Sequence, residues 1–120
     1  MILAEDIAVN QAVAVRMLQR LGFEVVVASH GEQAIAALRA HPEAELVLMD
    51  VQMPVMGGFE ATRLIREAEQ ASGRHIPILA LTAHALAEDE ERCLAAGMDG
   101  YIAKPIHLSA LAATLKKWLP

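Results

Sequence analysis

Glu5 and Asp6 follow one short apolar run, Ile2 to Ala4, and Asp50 follows another, Leu46 to Met49. If both runs are parallel strands of one sheet, the three carboxylates meet at its carboxyl edge, where open α/β sheets bind ligands. Two like charges roughly 4 Å apart repel by about 4 kcal/mol at an effective dielectric near 20. A cluster of this kind points to a divalent cation, and carboxylates suit Mg²⁺, a hard ion that takes a few oxygen ligands and keeps several waters. Asp50 is the candidate nucleophile because it ends a buried-looking strand, and a carboxylate can attack phosphorus to form an acyl phosphate. Thr82 and Lys104 end two later apolar runs, where they offer a hydroxyl donor and a point charge to phosphoryl oxygens. Nucleophile, cation site and fixed donors are the parts that phosphoryl transfer needs.

The elements that must position these residues can be read from the apolar pattern. Apolar runs and amphipathic stretches alternate five times, which is the pattern of a parallel sheet with crossover helices. Strands are predicted near residues 2–5, 23–28, 46–50, 77–82 and 100–103. The first helix is predicted over residues 8–21, with Val9, Val13, Met17, Leu18 and Leu21 at helical spacing and Gly22 at its left-handed end. Ser29 and Glu32 fit a capping box that starts a second helix running to about His41, before Pro42. Further helices are predicted over residues 58–70, with Phe59, Leu64 and Ile65 inward, over 85–96 before Gly97, and over 108–119. Right-handed crossovers place helices on both faces of this doubly wound five-stranded sheet, and its winding reverses near the first strand. The crevice at that reversal collects Glu5, Asp6, Asp50, Thr82 and Lys104.

The chain has 120 residues, of which 55% are hydrophobic and 3% aromatic, so one domain over residues 1–120 with an aliphatic, Ala-rich core is expected. A net charge of −5 leaves no basic stripe for nucleic-acid phosphates. Cys93 is the single cysteine, which rules out an internal disulfide, and no secretory signal or membrane span is legible. A cytoplasmic location is expected.

Glu5-Asp6, the stretch from Met49-Asp50 through Met53-Pro54 to Gly57-Gly58, Leu81-Thr82-Ala83 and Tyr101-Ile102-Ala103-Lys104-Pro105 together resemble the receiver domains of two-component response regulators. The match runs in order over essentially the whole chain. The resemblance implies a flavodoxin-like (βα)5 fold with strand order 2-1-3-4-5. It implies phosphoryl transfer to Asp50 from a phosphohistidine on a sensor histidine kinase or a histidine phosphotransfer domain. Mg²⁺ would be held by Glu5, Asp6, Asp50 and the backbone carbonyl of Gln52. Thr82 and Lys104 would contact the phosphoryl group, and Thr82 with Tyr101 would form the switch that reshapes the face made by the fourth helix, fifth strand and fifth helix. A monomer or a weak phosphorylation-dependent dimer is expected. Asn10-Gln11 and Gln52 resemble the receivers of hybrid sensor kinases, although Ile7 stands where that subgroup often carries Asn.

Blander readings exist for each residue. Thr82 is also a plausible N-cap for the fourth helix, Lys104-Pro105 a plain turn that can be cis, and Tyr101 a fixed, half-buried strand aromatic. His30, His41, His75, His84 and His107 lack ligand spacing. Cys93 reads as a small buried residue, and Glu88-Asp89-Glu90-Glu91 as a solvated helix start or a partner-facing patch. The alternative function is an aspartyl-phosphate-type phosphatase or phosphotransferase acting on small substrates. Such enzymes commonly place an acid two residues after the nucleophile, where this chain has Gln52. A flavin binder is disfavoured because Glu5-Asp6 would repel the cofactor phosphate.

Overall fold

A computed structural model describes residues 1–83 and 87–119. The elements run β1 (Ile2–Ala4), α1 (Ala8–Arg20), β2 (Val26–Ala28), α2 (Gly31–Ala40), β3 (Val47–Asp50), α3 (Gly58–Ser72), β4 (Ile78–Thr82), α4 (Ala87–Ala95), β5 (Gly100–Ala103) and α5 (Leu108–Trp118). The five strands form one sheet in the order β2-β1-β3-β4-β5, and every pairing is parallel. The sequence expectations for His84, for a helix start at Ala85 and for the side chains of Glu88 and Asp89 lie outside the described residues.

Alternation along the strands sorts the core into two layers. Ile2, Ala4, Val47, Met49, Ile78 and Ala80 meet Ala34 of α2, Ala61 and Ile65 of α3, and Cys93 of α4. Leu3, Leu48, Leu79, Leu81 and Ile102 meet Ala14 and Leu18 of α1 and Leu111 and Leu115 of α5. The central strands β1, β3 and β4 are buried along their whole length because helices cover both faces, which is why they read as continuous apolar runs.

Three expectations change. The second strand starts at Val26 rather than 23, because its partner β1 begins pairing at the Ile2 to Val26 register; Phe23 instead donates its amide to the Leu18 carbonyl. The cap of α2 is His30, whose ring accepts from the Gln33 amide, while the Gln33 side chain accepts from the Ser29 amide. Ser29 Oγ is occupied elsewhere, accepting from Gln11 Nε2. On α1, Leu18 is buried as expected, but Val9 and Val13 are exposed, and Ala14 shares the buried stripe with Leu18. Apolar residues surround α1 almost completely, so two stripes compete and the sheet selects one. Of the inward residues expected on α3, Ile65 is buried and Phe59 and Leu64 are half-buried, and Gly73 ends that helix at φ +73°.

Away from the site, Arg66 of α3 ties the structure together. It donates to Gly97 O, Ile76 O and the Asp99 carboxylate, and pairs with Glu69. Asp99 also accepts from the Ile78 amide at the start of β4 and pairs with His75.

The turn from β3 to α3 sets where Asp50 sits. Gly58 donates to Val51 O, and Gly31 of α2 donates to Met56 O, which pins the turn from both sides. A Cβ on Gly58 would lie 2.2 Å from the Asp50 carbonyl oxygen, so only glycine allows this approach. Val55, by contrast, is a β-branched residue at φ +66°, a conformation that disfavours its side chain. Two substitutions with opposite signs follow. Gly58→Ala should cost about 2–3 kcal/mol through overpacking, read as a lower urea midpoint. Val55→Asn, which tolerates this φ, should raise stability by about 0.5–1 kcal/mol.

Candidate phosphoryl-transfer site

The register brings the acidic residues to one level. Ala4 pairs with Met49, so Glu5 follows β1 directly beside Asp50 at the end of β3. Thr82 ends β4 opposite Ala103, which places Lys104 one step beyond the edge. Lys104 Nζ lies 3.0 Å from Glu5 Oε2 and 3.0 Å from Asp50 Oδ2. The other oxygens accept from the backbone: Glu5 Oε1 from the Ile7 amide and Asp50 Oδ1 from the Gln52 amide. Glu5, Asp50 and Thr82 are all buried, with Glu5 at 1% exposure and Asp50 at 6%. Asp6 is the more open of the acids, and each of the three offers an oxygen within 4.8 Å of the others.

The electrostatics divide the pair. For Glu5, burial opposes ionisation, but the Lys104 hydrogen bond, the Ile7 amide and the contact with Asp50 outweigh it and hold its pKa below the usual carboxylate value. For Asp50, burial again opposes ionisation and the Glu5 charge adds to it. Lys104 only partly offsets them, so the Asp50 pKa is raised. Lys104 is itself held above its usual pKa, because its two carboxylate partners outweigh burial. Glu5 and Lys104 therefore favour folding in their charged forms, whereas ionised Asp50 is held at a cost.

A cavity of about 580 Å³ opens in front of Asp50, lined also by Asp6, Thr82 and Lys104. The sequence-predicted residues Glu5, Asp6, Asp50, Thr82 and Lys104 thus gather at one edge, and Gln52 lines the cavity. Tyr101 stands on β5, half-buried against the layer that holds Cys93 and Met98. The Lys104-Pro105 bond is cis. Three further residues were not assigned to the site from sequence. Gln11 donates its side-chain amide to Glu5 O and Ser29 Oγ, bracing the first loop. Phe59 and Arg92 line the cavity, brought together from two helices with no local sequence signal linking them.

Known proteins resemble this chain in sequence and fold. Residues 1–116 match the response regulator receiver domain. Histidine kinase 1 of Arabidopsis thaliana is 38% identical over 95% of this chain, and the chain covers 12% of that relative; it spans a similarly small share of the hybrid histidine kinases of Dictyostelium discoideum that it matches. The receiver domain of the Pseudomonas aeruginosa sensor histidine kinase PA1611, solved with magnesium coordinated in its active-site cleft, is 44% identical with a TM-score of 0.82, covering 98% of this chain and 93% of that one. The receiver domain of Saccharomyces cerevisiae Ssk1, in co-crystal with the histidine phosphotransfer protein Ypd1, is 31% identical with a TM-score of 0.88, covering 98% and 86%.

The raised Asp50 pKa gives a pH-dependent expectation. A group raised in the folded state loses stability as pH climbs through that folded value. In metal-free buffer Asp50→Asn should therefore melt a few degrees above the parent protein near neutral pH, on the order of 1 kcal/mol. That advantage should disappear in acid, where Asp50 is protonated in both states. Thermal melts from acid to neutral pH read it directly.

Proposed function

The chain belongs to the response regulator receiver domain family, and on that premise we propose that residues 1–120 form one phosphoacceptor domain in a phosphorelay, with Asp50 as the accepting carboxylate. The observation that carries this is the juxtaposition of buried Asp50 with Lys104 at 3.0 Å and with two further carboxylates. The donor is a phosphohistidine on a sensor histidine kinase or a histidine phosphotransfer domain, in keeping with the relatives' histidine kinase architecture and the Ypd1 complex of the Ssk1 receiver. As the P–N bond of that donor breaks, an Asp50 oxygen forms the new P–O bond, and the imidazole leaves as its nitrogen takes a proton.

The all-oxygen, carboxylate-rich donor set of Glu5, Asp6 and Asp50 fits Mg²⁺, with the Gln52 carbonyl as a further ligand. When bound, Mg²⁺ would neutralise charge on the transferring group and draw its oxygens toward Asp50. Lys104 is already held beside Asp50, so a small shift of its ammonium meets a phosphoryl oxygen. Thr82, buried at the end of β4, offers its hydroxyl to another. Movement of Thr82 toward the phosphoryl group then opens room beside Ala83 for Tyr101, changing the face of α4, β5 and α5.

The domain signals rather than turning over small substrates, since the position two residues after Asp50 is Gln52, which cannot serve as a general acid. The cytoplasmic location follows from the same reading, because the donor is charged by an ATP-dependent kinase. No helix among the described residues is long and apolar enough to cross a membrane. The protein acts as a monomer or a weak phosphorylation-dependent dimer, and it makes no direct contact with nucleic acid.

Incubation with acetyl phosphate and Mg²⁺ should add one phosphoryl group by intact mass, with no gain in Asp50→Asn or without Mg²⁺. Lys104→Ala and Thr82→Ala should slow that gain by about 10- to 100-fold, as loss of a charge-assisted contact does. Mg²⁺ should raise the melting temperature of the parent protein and do so less for Asp6→Asn. A parent protein that gains no mass would overturn the reading.

A further inference from the structure

The cavity in front of Asp50 has a second cation on its wall. Lys104 lines it from the end of β5, and Arg92 lines it from α4. Lys104 is already engaged by Glu5 and Asp50. Arg92 is engaged differently: its guanidinium carbon lies 5.7 Å from the centre of the Phe59 ring, which lines the same cavity from the first turn of α3. Arg92 is exposed, and an exposed cation on a phenyl face is a weak contact. A guanidinium also carries five donors in a fork that matches phosphoryl oxygens.

Charge bookkeeping shows what the contact leaves open. Glu5, Asp6 and Asp50 face Lys104, and a divalent cation would balance what remains. Phosphorylation then replaces the single charge of the Asp50 carboxylate with about 1.5–2 negative charges on an acyl phosphate, a net gain of up to about one, and among the described lining residues Arg92 is the cation not yet engaged by a carboxylate of the site. We infer that Arg92 is a second phosphoryl-binding residue, resting on Phe59 while Asp50 is unmodified and leaving the ring to meet the oxyanion once a phosphoryl group arrives. This rests on the phosphoacceptor reading of Asp50. Because Phe59 belongs to α3 and Arg92 to α4, the exchange loosens a contact between two helices as it closes the cavity.

The exchange has a signature that a plain packing contact lacks. A ligand shifts a two-state equilibrium only by its differential affinity for the two states, so whatever holds Arg92 on the ring opposes binding. Arg92→Ala should weaken binding, whereas Phe59→Leu should strengthen it. An α3 to α4 tie with no role in binding would move both variants the same way.

The probe is beryllofluoride, a phosphoryl-mimicking anion, titrated calorimetrically into the full chain at saturating Mg²⁺. Arg92→Ala should bind it about tenfold more weakly, the size of one charge-assisted hydrogen bond, with Arg92→Lys intermediate. Phe59→Leu should bind it about two- to fivefold more tightly, the worth of an exposed cation–π contact. Mg²⁺ affinity measured without beryllofluoride should stay at the parent value in each, and melts establish that each is folded. Parent-like binding by Arg92→Ala, or a shift of Phe59→Leu in the same direction as Arg92→Ala, would overturn the inference. A parent protein that fails to bind beryllofluoride with Mg²⁺ would instead overturn the phosphoacceptor reading, and this inference with it.

Discussion

Burying Glu5 and Asp50 side by side requires a cation between them, and Lys104 supplies it from 99 residues away in sequence from Glu5. Its ammonium reaches one oxygen of each acid at 3.0 Å, and backbone amides of Ile7 and Gln52 take the other two. One positive charge does not balance two buried carboxylates with Asp6 close by. The imbalance falls on Asp50, whose pKa rises, while Glu5 keeps its charge. The carboxylate proposed to attack phosphorus is thus also the one whose negative charge its surroundings oppose most. The proposed Mg²⁺ would offset that cost with its own positive charge.

Everything around this edge serves to hold it still. The sheet sets the level of the acids through the pairing of Ala4 with Met49, and two layers of aliphatic side chains make the central strands rigid. Gly58 lets α3 begin against the Asp50 carbonyl, and the Gly31 amide locks the intervening turn to α2. The strained Val55 sits in that turn. Far from the edge, Arg66 and Asp99 bind α3, the start of β4 and the turn after α4 into one unit, leaving α4 tied down at its carboxyl end. Within the last turn of the same helix, Arg92 faces the cavity and leans on Phe59.

Much of the fold was legible in sequence because each buried strand writes a continuous apolar run and each helix ends on a signal such as Gly22 or Gly97, both at positive φ. The errors fell where local pattern is degenerate. On α1, apolar residues on nearly every side allowed a stripe through Val9 and Val13, yet the sheet took Ala14 beside the expected Leu18. At α2 both Ser29 and His30 can cap, and the choice went to His30 because Gln11, 18 residues from Ser29, occupies the Ser29 hydroxyl. The length of β2 depended on where its neighbour begins, which no feature of residues 23–28 encodes.

For the site, the residue types and their places after apolar runs were enough to nominate Glu5, Asp6, Asp50, Thr82 and Lys104, since strand ends in a parallel sheet must share an edge. That much the sequence by itself determined: the chemistry available and the edge on which it collects. Only the tertiary structure decided how the charges are shared, with Lys104 bridging Glu5 and Asp50, and that Arg92 and Phe59 stand at the cavity. The physical reason is that strand order and periodicity are properties of local chain geometry, repeated along each element. Distances between side chains from different elements depend instead on how helices seat on the sheet, and that packing is set by the whole core at once.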